Sequence, residues 1–409
     1  MQSFWTYIAK KIFKKIKYGN LVVTYPDNCV IIYGDEVGKQ INLHIRNGRF
    51  FRRLLLESDI GFAQSYLDDE FTCNDLVGLI TLGLKNSQEL GIKSDDTKLF
   101  FKFNLFSSLN LLQHRFHKNT KTQAKKNIAK HYDLSNDFYT LMLDKTMMYS
   151  SAIFERADEP LHVAQLRKIK HLADKLRLKK GDKILEIGSG WGAMALHLAQ
   201  EWGCEVTTVT LSQAQKKMCE TRFLEAGVEE RIEILLQDYR DLQGQYDAII
   251  AVEMFEAVGK EYFEVFFKKC ESLLKPDGVM VMQVITMPDN RYEAYAKSTD
   301  FIQQYIFPGG HLPSVAKMLE TTAAHTRLNL IHLEEFGEDY AKTLQHWYKN
   351  FTKNREKIRA LGFDIYFEKL WGLYLNYCEA AFATKNINLV QLAFSRDGND
   401  TRLHRGVLQ

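Results

Sequence analysis

Five apolar runs follow one another in the second half of the chain: "DKILEIG" (182–188), "EVTTVTL" (205–211), "RIEILLQ" (231–237), "QYDAIIAVE" (245–253) and "GVMVMQVIT" (278–286). Each is short and mostly rich in β-branched residues, and so reads as a buried strand rather than a helix. Amphipathic segments at 191–202, 212–226 and 260–274 lie between them. Strand and helix in alternation leave few architectures open. The strands run parallel, and the helices cover the faces of a doubly wound α/β sheet. "LNLIHLEEF" (328–336) and "INLVQLAFS" (387–395) are the expected closing strands, and residues 338–384 between them read as helical and rich in Trp and Tyr.

The first part of the chain has a different rhythm. Short β-prone runs separated by turn residues occupy 20–46, and helical patterns follow from about 49 to 113. The polar, basic stretch 114–130 breaks the pattern. The organisation expected is a smaller α+β domain over 1–113, a basic linker over 114–126 and the α/β domain over 127–409. A length of 409 residues suits two domains.

Six cysteines (29, 73, 204, 219, 270 and 378) are scattered without a C-x-x-C pair, which argues for reduced thiols and against a disulfide framework or a metal site. No apolar run reaches membrane-spanning length and no signal-peptide core opens the chain, so a cytoplasmic protein is expected. The net charge is only +3, yet residues 1–26 hold Lys10, Lys11, Lys14, Lys15 and Lys17 with no acid. Trp5, Ile8, Ile12 and Ile16 recur among them at helical spacing, giving a basic amphipathic helix. A second acid-free stretch runs from Thr97 to Tyr132. Together they suit an anionic membrane surface touched from the cytoplasmic side. No nucleic-acid reading motif accompanies the charge, so nucleic acid is not an expected partner.

"LEIGSGWGA" (185–193) joins the first strand of the α/β domain to its helix. Gly188, Gly190 and Gly192 allow a tight turn and close approach of a ligand to the backbone. Gly188, Gly190 and Ala193 also satisfy the G-x-G-x-x-A spacing of a nicotinamide site. Such a site expects an acid after the second strand to hold a ribose, and "VTLSQAQ" offers none. Glu186 instead lies inside the first strand, where it could hold the ammonium of an amino-acid moiety. The pattern E-x-G-x-G-x-G therefore points to S-adenosylmethionine.

The segment "EMFEAV" (253–258) closes the fourth strand and sets Glu256 between Phe255 and Ala257. Carboxylates are seldom buried without a partner. Beside it stand "HYDLSNDFY" (131–139), "MMYSSAIF" (147–154), "YIFPGGHLPS" (305–314), "FGEDY" (336–340) and "LYLNYCEAAF" (373–382). In this order, with the glycine loop, "VTLSQAQ" and "MFEAVG", they resemble the cyclopropane-fatty-acyl-phospholipid synthase family, including the mycolic-acid cyclopropane synthases, over about 125–409. Residues 1–113 look like the extra N-terminal domain of the bacterial phospholipid enzymes.

The resemblance implies a class I S-adenosylmethionine-dependent methyltransferase fold, Rossmann-like and doubly wound. It implies methyl transfer to a cis double bond of an unsaturated phospholipid acyl chain, closing a cyclopropane ring. By the same likeness Tyr132, Tyr149 and Ser150 border the cofactor, with Glu186 and the loop Gly188, Gly190 and Gly192 beneath it. Thr210, Leu211 and Gln215 hold its ribose and methionine portions, and Asp238 and Tyr239 flank the adenine. Glu256, Tyr340 and the backbone N–H of Ile285 match the groups that hold bicarbonate as proton acceptor. Cys378 matches a cysteine linked to activity. Two positions depart from the pattern: Ser151 replaces a cysteine, and Gln283 replaces a histidine that also meets the bicarbonate. Glutamine cannot carry a proton, so a methyl- or methylene-branched product is the first alternative. Small-molecule N-methylation and a lipid-carrier module with a vestigial cofactor site are the others. A homodimer is compatible with all of these.

Overall fold

The structure is a computed structural model, and it describes residues 4–90, 135–156 and 158–399. The linker, the second acid-free stretch and Tyr132 lie outside these residues. Contacts divide the chain into two compact units. One gathers Met1–Phe116, Lys297–Ile306 and Phe351–Asn386, and the other His117–Ala296, Phe307–Asn350 and Ile387–Gln409. The sequence pattern draws one boundary near 113, whereas the contacts also assign 297–306 and 351–386 to the unit that holds the N-terminal residues.

In that unit α1 (Phe4–Phe13) precedes strands β1 (Asn20–Thr24), β2 (Val30–Gly34) and β3 (Gln40–Ile45), then α2 (Arg49–Leu67), β4 (Phe71–Cys73) and α3 (Leu76–Lys85). The sheet order is β2-β1-β3-β4, with β1 and β3 parallel and the other pairs antiparallel. Alternate residues of β3, Ile41, Leu43 and Ile45, point into a core with Leu21, Val23, Phe50, Phe51 and Phe71. Helix α1 covers this core through Ala9 and Phe13, and Ile16 just beyond it is buried too. The expected amphipathic helix is therefore present, but part of its apolar face is spent on its own domain. Each large apolar side chain so buried contributes about 1.5–3 kcal/mol, which ties the helix down. Lys11, Lys14, Lys15 and Lys17 remain exposed, while Lys10 lies 4.2 Å over the Tyr25 ring.

The second unit is built on seven strands. α4 (Asn136–Met142) and α5 (Leu161–Leu176) lead into β5 (Lys183–Ile187), α6 (Ala193–Glu201), β6 (Glu205–Thr210), α7 (Gln213–Glu225), β7 (Ile232–Leu236) and β8 (Tyr246–Val252). After them come α8 (Phe263–Leu273), β9 (Leu274–Thr286), α9 (Asp289–Tyr295), α11 (Val315–His325), β10 (Leu328–Glu335), α12 (Gly337–Lys353) and β11 (Asn388–Arg396). α10 (Phe301–Tyr305), α13 (Arg355–Ala360) and α14 (Ile365–Ala383), with the last residues of α12, belong to the first unit. The order is β10-β11-β9-β8-β5-β6-β7. The five expected strands pair in parallel, and β11 and β10 close the sheet antiparallel. The chain winds outward from β5 to β7, then returns to place β8 on the other side of β5. Ligands in such sheets bind outside the strand ends at that reversal. The loop after β5 and the turn after β8 are therefore neighbours, although about sixty residues separate them in sequence. Among the described residues, no helix is long and apolar enough to cross a membrane.

Candidate active site

The loop after β5 needs its glycines for two different reasons. Gly188, Gly190 and Gly192 all have left-handed φ, at 96°, 49° and 84°. A Cβ on Gly192 would come within 2.8 Å of the Phe223 ring, and one on Gly188 within 3.0 Å of Met254. A Cβ on Gly190 would meet nothing within 4 Å. Gly188 and Gly192 are thus needed for packing as well as conformation, and Gly190 faces open space. That space is a cavity lined also by Tyr149, Ser150, Glu186, Thr210, Leu211, Gln215, Tyr239 and Glu253. The N–H groups of Gly188 and Ser189 both donate to the Val209 carbonyl (3.1 and 2.9 Å), fixing the loop to β6.

Glu186 is buried in β5 and accepts from the Thr208 hydroxyl at 2.6 Å. Burial pushes its carboxyl up to about 8, against the Thr208 hydrogen bond and the Lys168 charge. A neutral buried acid that ionises when a cation arrives suits the ammonium of a methionine moiety. Thr210 Oγ1 donates to Gln215 Oε1 at 2.7 Å and holds it at the cavity wall. Asp238 is placed differently. Its carboxylate takes Arg240 Nε at 2.8 Å, Nη2 at 2.6 Å and the Arg240 N–H at 3.0 Å, and only its neighbours Gln237 and Tyr239 line the cavity. An S-adenosylmethionine thus fits these residues: room above Gly190, an acid at one end and Tyr239 at the other.

The turn after β8 holds the main correction to the sequence reading. Ser151, Gln283 and Tyr340 do converge on a glutamate, but it is Glu253 and not Glu256. Glu253 Oε1 accepts the Ser151 N–H at 2.9 Å and Gln283 Nε2 at 2.8 Å, and Oε2 accepts the Tyr340 hydroxyl at 2.7 Å. The residue has a left-handed φ of 50°, unusual for a side chain with a Cβ, and its own N–H donates to the Gln283 carbonyl at 2.7 Å. Of the expected group only Ile285 turns to Glu256, its N–H reaching Oε1 at 2.5 Å. The other oxygen of Glu256 is buried and has no hydrogen-bond partner among the described residues.

The two acids are consequently unequal. Burial pushes Glu256 up to about 8, and the neighbouring Glu253 charge pushes the same way. Glu253 is raised by burial too, but the Lys168 charge and its three hydrogen bonds oppose this. The ionised form is thus better supported at Glu253, which has a cation and three donors, than at Glu256, which has only backbone donors and a like charge beside it. Lys168 sits on α5, fully buried, with Nζ donating to Ser150 Oγ at 2.6 Å. Gln165 holds the Ser150 carbonyl at 2.8 Å, so α5 clamps the segment whose next N–H reaches Glu253. Bicarbonate does not fit this arrangement. The Tyr340 hydroxyl expected to hold it is taken by Glu253, as are the donors of the two departing positions, Ser151 and Gln283, and the expected Ile285 N–H is taken by Glu256.

An aromatic wall stands over the same end. The Tyr149 ring centroid lies 5.3 Å from that of Tyr139 and 5.1 Å from that of Trp347, which in turn meets Tyr340 edge-on at 6.1 Å. Cys378 is in the other unit, on α14. Burial and the nearby Asp300 charge hold its thiol well above the ordinary range. Glu253 and Lys168 were missed by the sequence reading. The spacing of two acids in "EMFE" was the only signal for Glu253, and Lys168 gave none beyond its place on the buried side of an amphipathic segment.

A doubly wound sheet with this loop, acid and cavity defines a class I S-adenosylmethionine-dependent methyltransferase. A solved mycolic acid cyclopropane synthase, CmaA1, complexed with SAH and CTAB, superposes with a TM-score of 0.62 at 31% identity, covering 66% of this chain and 98% of that one. Coclaurine N-methyltransferase shares the fold (TM-score 0.61, covering 82% of this chain and 98% of that one), at 19% identity. The family model described as mycolic acid cyclopropane synthetase matches residues 119–392. Tuberculostearic acid methyltransferase UfaA1 of Mycobacterium tuberculosis is 36% identical over 92% of this chain and 88% of its own. The cyclopropane-fatty-acyl-phospholipid synthase of Escherichia coli K12 is 35% identical over 87% and 88%. The chain belongs to the mycolic acid cyclopropane synthetase family, and it is an S-adenosylmethionine-dependent lipid methyltransferase.

Proposed function

We infer that the enzyme methylates the cis double bond of an unsaturated phospholipid acyl chain and that Glu253 accepts the proton released. The observation that carries this is the Glu253 carboxyl itself, held by three donors at the wall of the cofactor cavity. Bound S-adenosylmethionine supplies the methyl, which the alkene takes up with its π electrons, leaving a cation on the lipid. The protein must keep water from that cation and then take one proton. Tyr149 lines the cavity, and an aromatic face met by a cation stabilises it by about 0.5–2 kcal/mol. Glu253 then becomes a carboxylic acid, and the electrons of the broken C–H bond remain on the lipid.

Which C–H bond breaks decides the product. Loss from the new methyl onto the cation closes a cyclopropane ring, and loss from a neighbouring carbon, or after a hydride shift, gives a branched alkene. The proton-accepting site departs from the cyclopropane-synthase pattern at Ser151 and Gln283, and both of these residues donate to Glu253, which favours a branched chain. A relative named for tuberculostearic acid methylation, at 36% identity, supports the same reading. Exposed Lys11, Lys14, Lys15 and Lys17 beside exposed Phe4 and Tyr7 support docking on an anionic membrane surface.

The test is incubation of the enzyme with deuteromethyl-labelled S-adenosylmethionine and unsaturated phospholipid vesicles, followed by mass spectrometry. An internal methyl-branched alkene keeps all three deuteriums. A ring and a methylene branch each keep two and differ in whether catalytic hydrogenation adds hydrogen. Label in the lipid, at a rate unchanged by stripping bicarbonate from the buffer, is the expected result. Absence of label from lipid, or dependence on bicarbonate, overturns the reading.

A further inference from the structure

Gln283 and Gln391 face each other across the antiparallel pair β9 and β11, both fully buried, in strands whose adjacent residues Met282, Val284, Val390 and Leu392 are buried and apolar. Two amides in the middle of a buried sheet demand partners, since an unpaired one loses its hydrogen bonds to water without replacement. A self-satisfying pair would explain their presence. It would not explain their direction. Gln391 Nε2 donates to Gln283 Oε1 at 2.8 Å, and Gln283 Nε2 donates onward to Glu253 Oε1 at 2.8 Å and to the Ser151 carbonyl at 3.2 Å.

The direction is set at the other end. Lys175 Nζ lies 2.9 Å from Gln391 Oε1, and an ammonium can only donate. His171 Nδ1 is 2.9 Å from the same oxygen and 2.7 Å from Lys175 Nζ. It accepts from the lysine, which puts the imidazole proton on Nε2, facing Glu334 at 3.4 Å. Glu334 is 3.3 Å from Lys175 Nζ and 3.3 Å from His332 Nε2 and is partly exposed. The cation thus orients the first amide, the first orients the second, and the second offers its NH₂ group to the carboxylate. Reversal of either amide would turn the Gln283 oxygen against Glu253.

We propose that this chain, Lys175 to Gln391 to Gln283, is an amide relay that sets the proton affinity of Glu253 from the far side of the sheet pair, with Lys175 and Gln391 acting as positioning residues. The proposal rests on Glu253 being the proton acceptor. It gives Gln283 a role that histidine would serve differently: an imidazole can accept at one nitrogen and donate at the other but titrates near neutral pH, whereas the amide passes on the orientation without titrating. The charged and titratable groups facing Lys175 are His171 and Asp174 on α5 and Glu334 on β10, which His332 meets in turn. Those facing Glu253 are Lys168 on α5, Glu256 in the same turn and Tyr340 on α12.

The test is the pH profile of labelled methyl transfer into unsaturated phospholipid vesicles, measured for the parent, Lys175→Met, Lys175→Arg, Gln391→Leu and Glu253→Gln. Lys175→Met and Gln391→Leu are expected to move the acid limb of kcat upward by about one pH unit, a rate about tenfold lower below the midpoint that recovers at high pH, with KM unchanged. Lys175→Arg, which keeps a cationic donor, is expected to restore the parent profile. Loss of rate equal at every pH, or a rise in KM alone, marks a merely structural role and overturns the relay. So does a Lys175→Met profile that superposes on the parent, which covers the case in which Gln391→Leu fails to fold. If Glu253→Gln keeps full turnover, the proton-acceptor reading itself is wrong. If Glu253→Gln is inactive and the relay variants do not shift, only the relay is wrong.

Discussion

Each compact unit buries a pair of acids, and the two pairs are built in opposite ways. In the first unit Asp59 follows Ser58, whose φ of 54° interrupts α2, and Asp59 Oδ2 accepts the Phe301 N–H at 2.9 Å and the Tyr377 hydroxyl at 3.3 Å. Asp300 caps its own helix in a capping box with Gln303. Burial, and then the Asp59 charge, push Asp300 up to about 7. These carboxyls serve backbone ends, a familiar structural use. In the second unit the donors to Glu253 come from three separate segments: the 150–151 turn, β9 and α12. They converge on one oxygen pair at a cavity wall, on a residue with strained backbone. Burial and a raised proton affinity are common to both pairs and distinguish nothing. The origin of the donors and the presence of open space beside the acid separate them.

The largest effect expected from this contrast is at Glu253. Glu253→Gln keeps the shape but removes the proton acceptor, so turnover should fall by about 10²-fold or more with cofactor affinity nearly unchanged. Calorimetry and labelled methyl transfer measure the two quantities. Glu256→Gln should be far milder, within about tenfold, because Glu256 already carries a proton and an amide oxygen can still accept the Ile285 N–H. The reverse ranking would return the catalytic role to Glu256 and dissolve the contrast.

The structural pair should appear in stability instead. Asp300 has an ordinary value near 3.8 when unfolded and about 7 when folded. Between those values the folded state holds more protons than the unfolded one. Its contribution is therefore fully present below about pH 4 and is lost as pH rises through about 7. Asp300→Asn keeps a side-chain oxygen for the Gln303 N–H and removes the titration. Thermal midpoints measured from pH 4 to 8 should decline less steeply in the variant. An unchanged slope would mean that Asp300 titrates normally and that its burial has no linkage consequence.

The fold was more legible in the sequence than the site. All five parallel strands and their intervening helices stand within a few residues of the positions that periodicity implies, because strand and helix periods depend on local pattern alone. β4 was missed, since three residues carry no period. The glycine loop was legible too, as φ above zero has few other solutions. The proton-accepting site was not. "EMFE" offers two acids, and the choice between them depends on the backbone at Glu253, which is fixed by a hydrogen bond to Gln283 thirty residues away. Gln391 could be linked to Gln283 only once β11 was known to pair with β9 in that register. Lysines at 10–17 were readable as a basic helix, but what covers its apolar side was a tertiary fact.

The smallest effect expected is at Cys378, and it bears on the same contrast. Its likeness to a cysteine linked to activity makes it a candidate from sequence. The structure holds it on α14 in the unit of the structural acids, and burial first, then the Asp300 charge, keep its thiol from ionising. A thiol that stays protonated is a poor nucleophile and a poor proton acceptor. Its remaining role is to fill space as a small apolar group. Cys378→Ser exchanges sulfur for a smaller, more polar atom in a partly buried place, which should cost about 1 kcal/mol of stability. Turnover by the folded variant should stay within about twofold of the parent, with an unaltered pH profile. Denaturant unfolding and labelled methyl transfer, measured on the same preparation, separate the two. A large loss of rate without loss of stability would place chemistry in the unit that here looks purely structural.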